Sequence, residues 1–454
     1  MARKIDATKG NLIKQIFKFV IPLALSTIMQ NLFNLTDKAV VGQMANSTAV
    51  ASVGATGTVI TLVLNAAIGL STGVTVILAR YIGQKKREKI RQTIETAILS
   101  SLLLGLFIGV MGYFLSPVAL RAIDCPEACF DGAVLYMRIY LGAAPAFLCY
   151  NYCSAVLRAL GDTQRPLYYI TVAGVVNVTL NVLLCFILEN KVLAVATATI
   201  VAKLVSTVLI LRNLAHTDPD IRPSLRRLRF NFGAFGSILR FGIPISISNL
   251  IVPLANLQIA NGINSYGVEA VAGNSAAVSL HHIAIAFASG FAIAANTFIG
   301  QNLGAQNKPR VIKSFWTILW LTVSISGIVG TLMWLTGRFS LGLIVGADAT
   351  EAIRFGMSRL TYVTLFTFIY AINTYIAHVF QAFGYPMFSS ISNIAFTLGF
   401  RVFWMQLIYP THRTFDNIML CFPVSWGLNL LFYIIAFSFV YIRYVKKDIC
   451  KQIK

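Results

Sequence analysis

Long apolar segments alternate with short polar segments along the whole chain. A helix that crosses a bilayer needs about 20 mostly apolar residues, and the sequence has a series of segments of that length. They fall near residues 12–41, 48–79, 91–115, 132–158, 165–188, 191–212, 238–262, 269–300, 311–336, 353–382, 386–409 and 418–445. The pattern predicts an all-α polytopic membrane protein with twelve transmembrane helices.

Composition agrees with this architecture. Hydrophobic residues make up 57% of the 454 residues, charged residues make up 12%, and the mean hydropathy is +0.74. Soluble globular domains of this size do not have such a composition. We therefore expect the lipid bilayer to be the main partner of the surface.

The net charge of +21 raises nucleic-acid binding as an alternative, but the distribution of the charge opposes it. Basic residues concentrate in alternate loops: before the first helix, in 83–91, around 158–165, and in 222–240, 308–313 and 443–454. The loops between them are poor in lysine and arginine. This positive-inside pattern predicts a multi-pass protein of the inner (plasma) membrane with both termini cytoplasmic and no nucleic-acid partner.

The two halves of the chain carry similar segments in the same order. FVIPLALS (19–26) matches FGIPISIS (241–248), and GVTVILARYIGQ (73–84) matches GFAIAANTFIGQ (290–301). We predict an N-terminal lobe at 1–212, a cytoplasmic linker at 213–236 and a C-terminal lobe at 237–454. Six spans per lobe make the repeats parallel, and transporters built in this way bind their substrate between the repeats.

Asp37 is the acidic residue that falls clearly within a long hydrophobic segment. A carboxylate at membrane depth costs about 2.5–3.5 kcal/mol on insertion scales and usually faces a cavity or a partner. Aligning Pro22 with Pro244 places Ile259 opposite Asp37, so the acid belongs to one repeat only. We interpret Asp37 as an ion-coupling residue; the alternative is that it caps the helix or pairs with Lys38.

At these residues the chain resembles the multidrug and toxic compound extrusion (MATE) family, and it looks closest to the DinF-like branch. The resemblance covers nearly the whole sequence. It is carried by Ile21-Pro22, Asn34-x-x-Asp37 with Gly42, Gly54, Leu157-Arg158-Ala-Leu-Gly161-Asp162-Thr163, Asn177 and the run from Gly300 to Ala305.

The resemblance implies two six-helix lobes that form a V, a cavity in each lobe, and rocking between inward- and outward-open states. It also implies an antiporter that exports amphipathic, often cationic, drugs or metabolites in exchange for H⁺ or Na⁺. The family's helix-1 acid and asparagine match Asp37 and Asn34. DinF-like members often have Asn-x-x-x-Asp in helix 5, whereas this chain has Asn177 and Asn181, so the second acid is absent.

Asn177 and Asn181 lie four residues apart and so share one helix face. Their amides could bond a carboxylate or, with Asp37, supply oxygen ligands to Na⁺; the alternative is interhelical hydrogen bonding. We include both among the ion-coupling candidates and expect no other metal. Lys203 lies inside the sixth span, where it would pair with Asp37, repel cations in the cavity or pack as a neutral group.

Lys203 is also a candidate for substrate contact, together with three further side chains. Tyr136 and Tyr140 in the fourth span suit flat cations through cation–π contacts. Arg401 is intramembrane, and the resemblance favours a role in bracing its lobe over substrate contact. His281 and His282 are interpreted as packing residues because no cysteine or carboxylate lies at metal-ligand spacing.

The sequence has no phosphate-binding loop, nucleophile elbow or HExxH motif, so we expect neither an enzyme nor a cofactor. We expect a monomer that binds a small-molecule substrate. A flippase for lipid-linked or anionic substrates stays open as an alternative, as does a channel or scaffold without active transport. Cys125 and Cys129 share a loop and are either disulfide-bonded or free thiols.

Overall fold

The computed structural model describes residues 5–44, 47–224 and 227–446, with the side chains there except those of 34–35, 37–39, 41, 43–44, 47–50 and 439–446. Every regular element in these ranges is helical. The α-helices are α1 (Leu12–Met44), α2 (Ser47–Gly83), α3 (Arg87–Arg121), α4 (Glu127–Gly142), α5 (Ala144–Ala159), α6 (Gln164–Ile187), α7 (Lys191–Ala215), α8 (Phe232–Asn264), α9 (Val268–Gly304), α10 (Lys308–Leu335), α11 (Gly337–Val345), α12 (Thr350–Arg359), α13 (Thr367–Phe383), α14 (Pro386–Ser392), α15 (Phe400–Phe403) and α16 (Phe415–Lys446).

These helices confirm the predicted all-α membrane architecture. Within the described ranges, ten helical segments are long and apolar enough to cross a bilayer on their own. Two further spans are bent pairs: α4 with α5, at 45°, and the segment Thr350–Thr364 with α13, at 43°. Counting each bent pair as one span gives twelve.

The bends fall in corresponding spans of the two repeats, the fourth and the tenth. In the fourth span, Pro145 occupies the first turn of α5, where a proline is tolerated because that N–H has no helical partner. In the tenth and eleventh spans the α-helix widens into π-helical turns at Leu360–Thr364, Asn393–Gly399 and Trp404–Ile408. Such turns redirect side chains and occur frequently at functional sites.

Contacts divide the chain into two compact units. Unit 1 comprises Leu25–Ser246 together with Ile5, and unit 2 comprises Asp6–Ala24 and the chain from Ile247 onward. The division cuts α1 two residues after Pro22 and α8 two residues after Pro244, so the matched Ile-Pro pairs lie at equivalent places. The predicted lobes follow chain order instead, and their boundaries stay a prediction.

The core of unit 1 is built on α2, α3 and α5. Val74, Ile94 and Tyr152 are among its fully buried side chains, one from each of these helices. The start of α8 joins the same unit, because the Ser246 hydroxyl donates to the backbone carbonyl of Ala66 in α2 at 2.8 Å.

A buried carboxylate fastens the segment between α7 and α8 to unit 1. Glu95 in α3 is only 2% exposed, and it accepts hydrogen bonds from the backbone N–H groups of Ser224 and Arg229. It also pairs with Arg91 at 3.0 Å. A carboxylate that accepts backbone N–H groups is held more strongly than a neutral acceptor would be, so Glu95 fixes the course of this segment.

In unit 2, polar side chains of α9 and α10 hold the segment that precedes α1. The backbone N–H of Ala7 donates to Gln301 at 3.1 Å, and its carbonyl accepts from Asn302 and Arg310 at 3.1 and 2.8 Å. Gln301 and Asn302 belong to the run from Gly300 to Ala305 that carried part of the family resemblance. The structure shows that these two polar residues position backbone.

Gly161 makes the turn between α5 and α6, with φ of +79°. A Cβ at this position would overlap the carbonyl oxygen of Ile5, whose N–H donates to the Gly161 carbonyl at 3.2 Å. The equivalent turn of the second repeat has Gly384 with φ of +95°. Each repeat therefore depends on a glycine at this turn.

We predict that Gly161→Ala destabilises the protein more than Gly346→Ala. Gly346 also has positive φ, +97°, but a Cβ there would meet no atom within 4 Å, so its replacement incurs only backbone strain of about 1–3 kcal/mol. Thermal unfolding of purified protein, read by a thiol-reactive dye that labels the buried cysteines as they become exposed, gives the comparison. Equal midpoints for the two variants would contradict the contact with Ile5.

Candidate functional site

A cavity of about 340 Å³ lies within unit 1 and brings four predicted site residues together. Tyr136 and Tyr140 reach it from α4, Asn177 from α6 and Lys203 from α7. Their combination in one cavity follows from the packing of α7 against both α4 and α6.

Aromatic rings form one side of this cavity. The Tyr136 and Tyr140 ring centroids lie 5.9 Å apart, as expected for side chains one turn apart on a helix. Lys203 places its Nζ 5.4 Å from the centroid of the Phe147 ring, within the range of a cation–π contact. Aliphatic side chains such as Ile60 and Leu64 complete the apolar part of the lining.

Amide and hydroxyl groups form the polar side. The Asn177 amide lies 3.5 Å from the Thr199 hydroxyl, which links α6 to α7, and the Asn181 amide lies 3.5 Å from the Asn177 oxygen. Asn181 is completely buried and does not itself line the cavity. The two asparagines therefore share one face of α6, and they contact each other, which the sequence did not predict. Their role in ion coupling, including a Na⁺ site, stays a prediction.

The side chains of Asp37 and Asn34 lie outside the part of the structure that is described. The backbone of α1 passes through both positions, and Gln30 and Phe33 from the same helix line the unit 1 cavity. Ile259, the repeat counterpart of Asp37, lines the cavity of unit 2. Pairing of Lys203 with Asp37 also stays a prediction.

Unit 2 has its own cavity, of about 420 Å³, and two buried arginines line it. Arg401 is 2% exposed and Arg359 is 8% exposed. Arg401 was predicted as a candidate, whereas Arg359 was missed because it follows Arg354 near the end of a predicted span. Basic residues at span ends usually extend to the headgroups, so position alone did not distinguish Arg359.

The two guanidinium groups share one aromatic ring. Their central carbons lie 4.5 Å (Arg401) and 5.0 Å (Arg359) from the centroid of Phe422. Arg401 also donates to Asn256 of α8 at 3.0 Å and to Ser425 of α16 at 3.4 Å. Arg401 therefore ties together three helices while it lines the cavity, so bracing and ligand contact are compatible.

Neutral polar groups make up much of the remaining polar lining. Asn274 accepts from Arg359 at 2.9 Å, and the ring of His281 lies 3.2 Å from the hydroxyl of Thr364 and 3.3 Å from that of Thr367. Among the described residues there is no cluster of three or more histidine, cysteine or acidic side chains able to hold a metal ion. Elsewhere, Cys125 and Cys129 are free thiols with sulfur atoms 3.7 Å apart.

Comparison with known proteins gives consistent matches. The MatE family model matches residues 22–183 and 244–404. The probable multidrug resistance protein YpnP of Bacillus subtilis (strain 168) is 25% identical over 442 residues, which are 97% of this chain and 96% of that protein. DNA damage-inducible protein F of Escherichia coli (strain K12) is 24% identical over 304 residues, which cover 66% and 65% of the two chains.

Solved structures share the fold. A crystal structure of MATE in complex with MaL6 superposes with a TM-score of 0.89 at 21% identity, over the full length of both chains. Both repeats of this chain are thus covered by the family model and by a known structure. Placement in the DinF-like branch stays a prediction.

We predict that Asn177→Ala lowers the thermal midpoint of the purified protein, because it removes the link between α6 and α7 and leaves the buried Asn181 amide without Asn177 as acceptor. A buried hydrogen bond of this kind contributes about 1 kcal/mol. Asn151→Ala is the matched control, since the Asn151 amide lines the same cavity but donates within its own helix, to Phe147 at 2.8 Å. If Asn151→Ala lowers the thermal midpoint more than Asn177→Ala does, the hydrogen bond of Asn177 does not hold α6 against α7.

Proposed function

Because the chain belongs to the MatE family, we propose that it is a secondary-active antiporter that exports small amphipathic molecules in exchange for H⁺ or Na⁺. The family consists of multi-pass membrane transporters of small molecules and not of enzymes. Gradient coupling, the direction of transport and the coupling ion are the parts that we propose.

The observation that carries the proposal is the convergence of Tyr136, Tyr140, Asn177 and Lys203 on one cavity in unit 1. A cavity with an apolar, aromatic lining and few polar groups is the usual form of a small-molecule site, and 340 Å³ falls in the usual size range. The aromatic rings would hold the body of the substrate, and the polar groups would set its orientation.

Asp37 is proposed to couple transport to the ion gradient. Position 37 follows Gln30 and Phe33 by seven and four residues, so helical spacing puts all three positions on one face of α1. Uptake of H⁺ or Na⁺ would neutralise the Asp37 carboxylate. A ligand shifts a conformational equilibrium only when it binds the two states differently, and neutralising a charge in a weakly polar site provides such a difference.

Asn177 and Asn181 are proposed to assist Asp37. Carboxylate and amide oxygens are the ligands that hard cations prefer, and the two asparagines already contact each other at 3.5 Å. If the coupling ion is Na⁺, the asparagine oxygens would bind it together with the Asp37 carboxylate. If the coupling ion is H⁺, their amide N–H groups would donate to the ionised Asp37 carboxylate.

A flippase for lipid-linked or anionic substrates is the second candidate. Arg359 and Arg401 in the unit 2 cavity favour it, because lipid-linked sugars carry phosphate groups that guanidinium recognises. Cavities of 340 and 420 Å³ suit a drug-sized molecule or a headgroup. Transfer of a labelled lipid between leaflets without a gradient would support this alternative over antiport.

We predict that Asp37→Asn abolishes gradient-driven dye efflux and leaves the amount of folded protein in the membrane unchanged. Asparagine has nearly the same size as aspartate but carries no negative charge. Binding of H⁺ or Na⁺ therefore has no charge to neutralise at this position. Efflux of ethidium from cells is measured under an imposed proton gradient and, separately, under a sodium gradient.

Glu127→Gln is the control, because Glu127 is an exposed acid in the first turn of α4. It should transport at the wild-type rate. Wild-type efflux in Asp37→Asn would remove Asp37 from the mechanism. If neither wild type nor control moves dye under either gradient, export of cationic dyes is excluded as the activity.

A further inference from the structure

The unit 2 cavity combines positive charge with the absence of carboxylate in its lining. Arg359 and Arg401 line it together with His281, His282 and His378, and none of the described residues around it is acidic. Both guanidinium groups lie within 5.0 Å of the centre of one ring, so they are at most twice that distance apart. Two like charges so close, and this deeply buried, are unfavourable unless an anion lies near them.

The hydrogen bonds of Arg359 leave much of its guanidinium group unused. A guanidinium has five N–H donors, and the bond from Nη1 to Asn274 uses one of them. Its Nε is buried and has no hydrogen-bond partner among the residues that the structure describes. The remaining donors are arranged as a planar fork, which matches the two oxygens of a carboxylate or phosphate.

The partners of both arginines are neutral. Arg359 donates to Asn274, and Arg401 donates to Asn256 and Ser425. These amide and hydroxyl groups orient the two guanidinium groups but do not compensate their positive charges. The pair is therefore positioned and still charged, as an anion site requires.

Apolar surface lies next to the charged groups. Ile259, Val363 and Trp426 line the same cavity, and the Phe422 ring packs against both arginines. A volume of about 420 Å³ accommodates a bicyclic aromatic body with a charged head. A simple inorganic anion would leave this apolar part of the lining without contact.

The two repeats carry different charges at matched positions. Where the first repeat has Asp37 the second has Ile259, and counting from Pro166 and Pro386 places Arg401 opposite Asn181. The second repeat thus has an aliphatic side chain in place of an acid, and a cation in place of an amide. A cation-binding role inherited equally by both cavities does not explain this difference.

We propose that the unit 2 cavity binds a small amphipathic organic anion, with its carboxylate or phosphate on Arg359 and Arg401 and its apolar body against Phe422, Ile259 and Trp426. The inference rests on the proposed transport function and names the substrate class of the second cavity. It replaces, for this cavity, the expectation of a cationic substrate, which came from the family resemblance alone.

The test is equilibrium binding to the full-length protein in an uncharged detergent. The probes are 2-naphthoate, 2-naphthyl phosphate and 2-naphthylmethylammonium, which share one aromatic body and differ in the charged head. We expect both anions to bind more tightly than the cation, and the tighter of the two to identify the preferred head group. Arg359→Gln should weaken anion binding at least about tenfold, because a charge-assisted hydrogen bond is lost.

Three further variants make the result specific. Arg359→Lys keeps the positive charge and should retain part of the anion affinity. Partial retention would show that Arg359→Gln weakens binding through the lost charge and not through misfolding. Arg354→Gln is the matched control on the same helix, since Arg354 is exposed and pairs with Glu351 at 2.8 Å; it should bind like wild type. Lys203→Gln probes the other cavity, so it should weaken anion binding less than Arg359→Gln does.

An ammonium probe that loses as much affinity as the anions do in Arg359→Gln would overturn the inference, because the unit 2 cavity would then not distinguish the sign of the head group. So would unchanged anion affinity in Arg359→Gln, or a loss confined to Lys203→Gln, which would assign the anion to unit 1. The assay needs no ion gradient, so its failure leaves the coupling role of Asp37 untouched. Conversely, intact anion binding with no gradient-driven transport would reject the antiporter and keep the site.

Discussion

A charged or polar side chain in the hydrocarbon of a membrane must find a partner or a water-accessible cavity, and this constraint explains most of the unusual positions in the protein. Glu95 is buried, and it accepts from two backbone N–H groups and pairs with Arg91. Arg401 is buried, and it binds side chains of two other helices. Arg359 has one such hydrogen bond, to Asn274, so more of its N–H donors than those of Arg401 are available to a ligand in the cavity.

The same scaffold, repeated, carries two different chemistries. In each repeat the first helix has an Ile-Pro pair just before the point where the helix passes from one unit to the other. Each repeat also has a bent span, a glycine turn with positive φ and its own cavity. These shared features are backbone features. Tyrosines and asparagines line both cavities, but the basic side chains differ: Lys203 in unit 1, and Arg359 and Arg401 with three histidines in unit 2.

The spans could be predicted from sequence because hydropathy reports directly on insertion into the bilayer. The predicted span at 165–188 and the observed helix Gln164–Ile187 differ by one residue at each end. The bend before α5 was not foreseen, although Pro145 was a visible signal. The π-helical turns of the tenth and eleventh spans had no comparable signal, since they insert one residue per turn without changing the hydropathy pattern.

The sites were harder to predict. In a membrane protein both the lipid-facing and the inward-facing sides of a helix are apolar, so periodicity does not tell which side meets a cavity. Asn177 and Lys203 were recognisable because polar side chains at membrane depth are rare. Arg359 and Glu95 lie near helix ends, where charge is common, and only the packing of distant helices shows that both are buried.

Transport of 2-naphthyl phosphate against its own concentration gradient would join the anion site to ion-coupled transport in one experiment. The compound is charged at neutral pH and crosses bilayers poorly, so accumulation in proteoliposomes reports on the protein. We expect uphill movement when a proton or sodium gradient is imposed, and its collapse when an ionophore dissipates that gradient. Equilibration that never exceeds the external concentration, with or without the ionophore, would contradict ion-coupled transport of an organic anion.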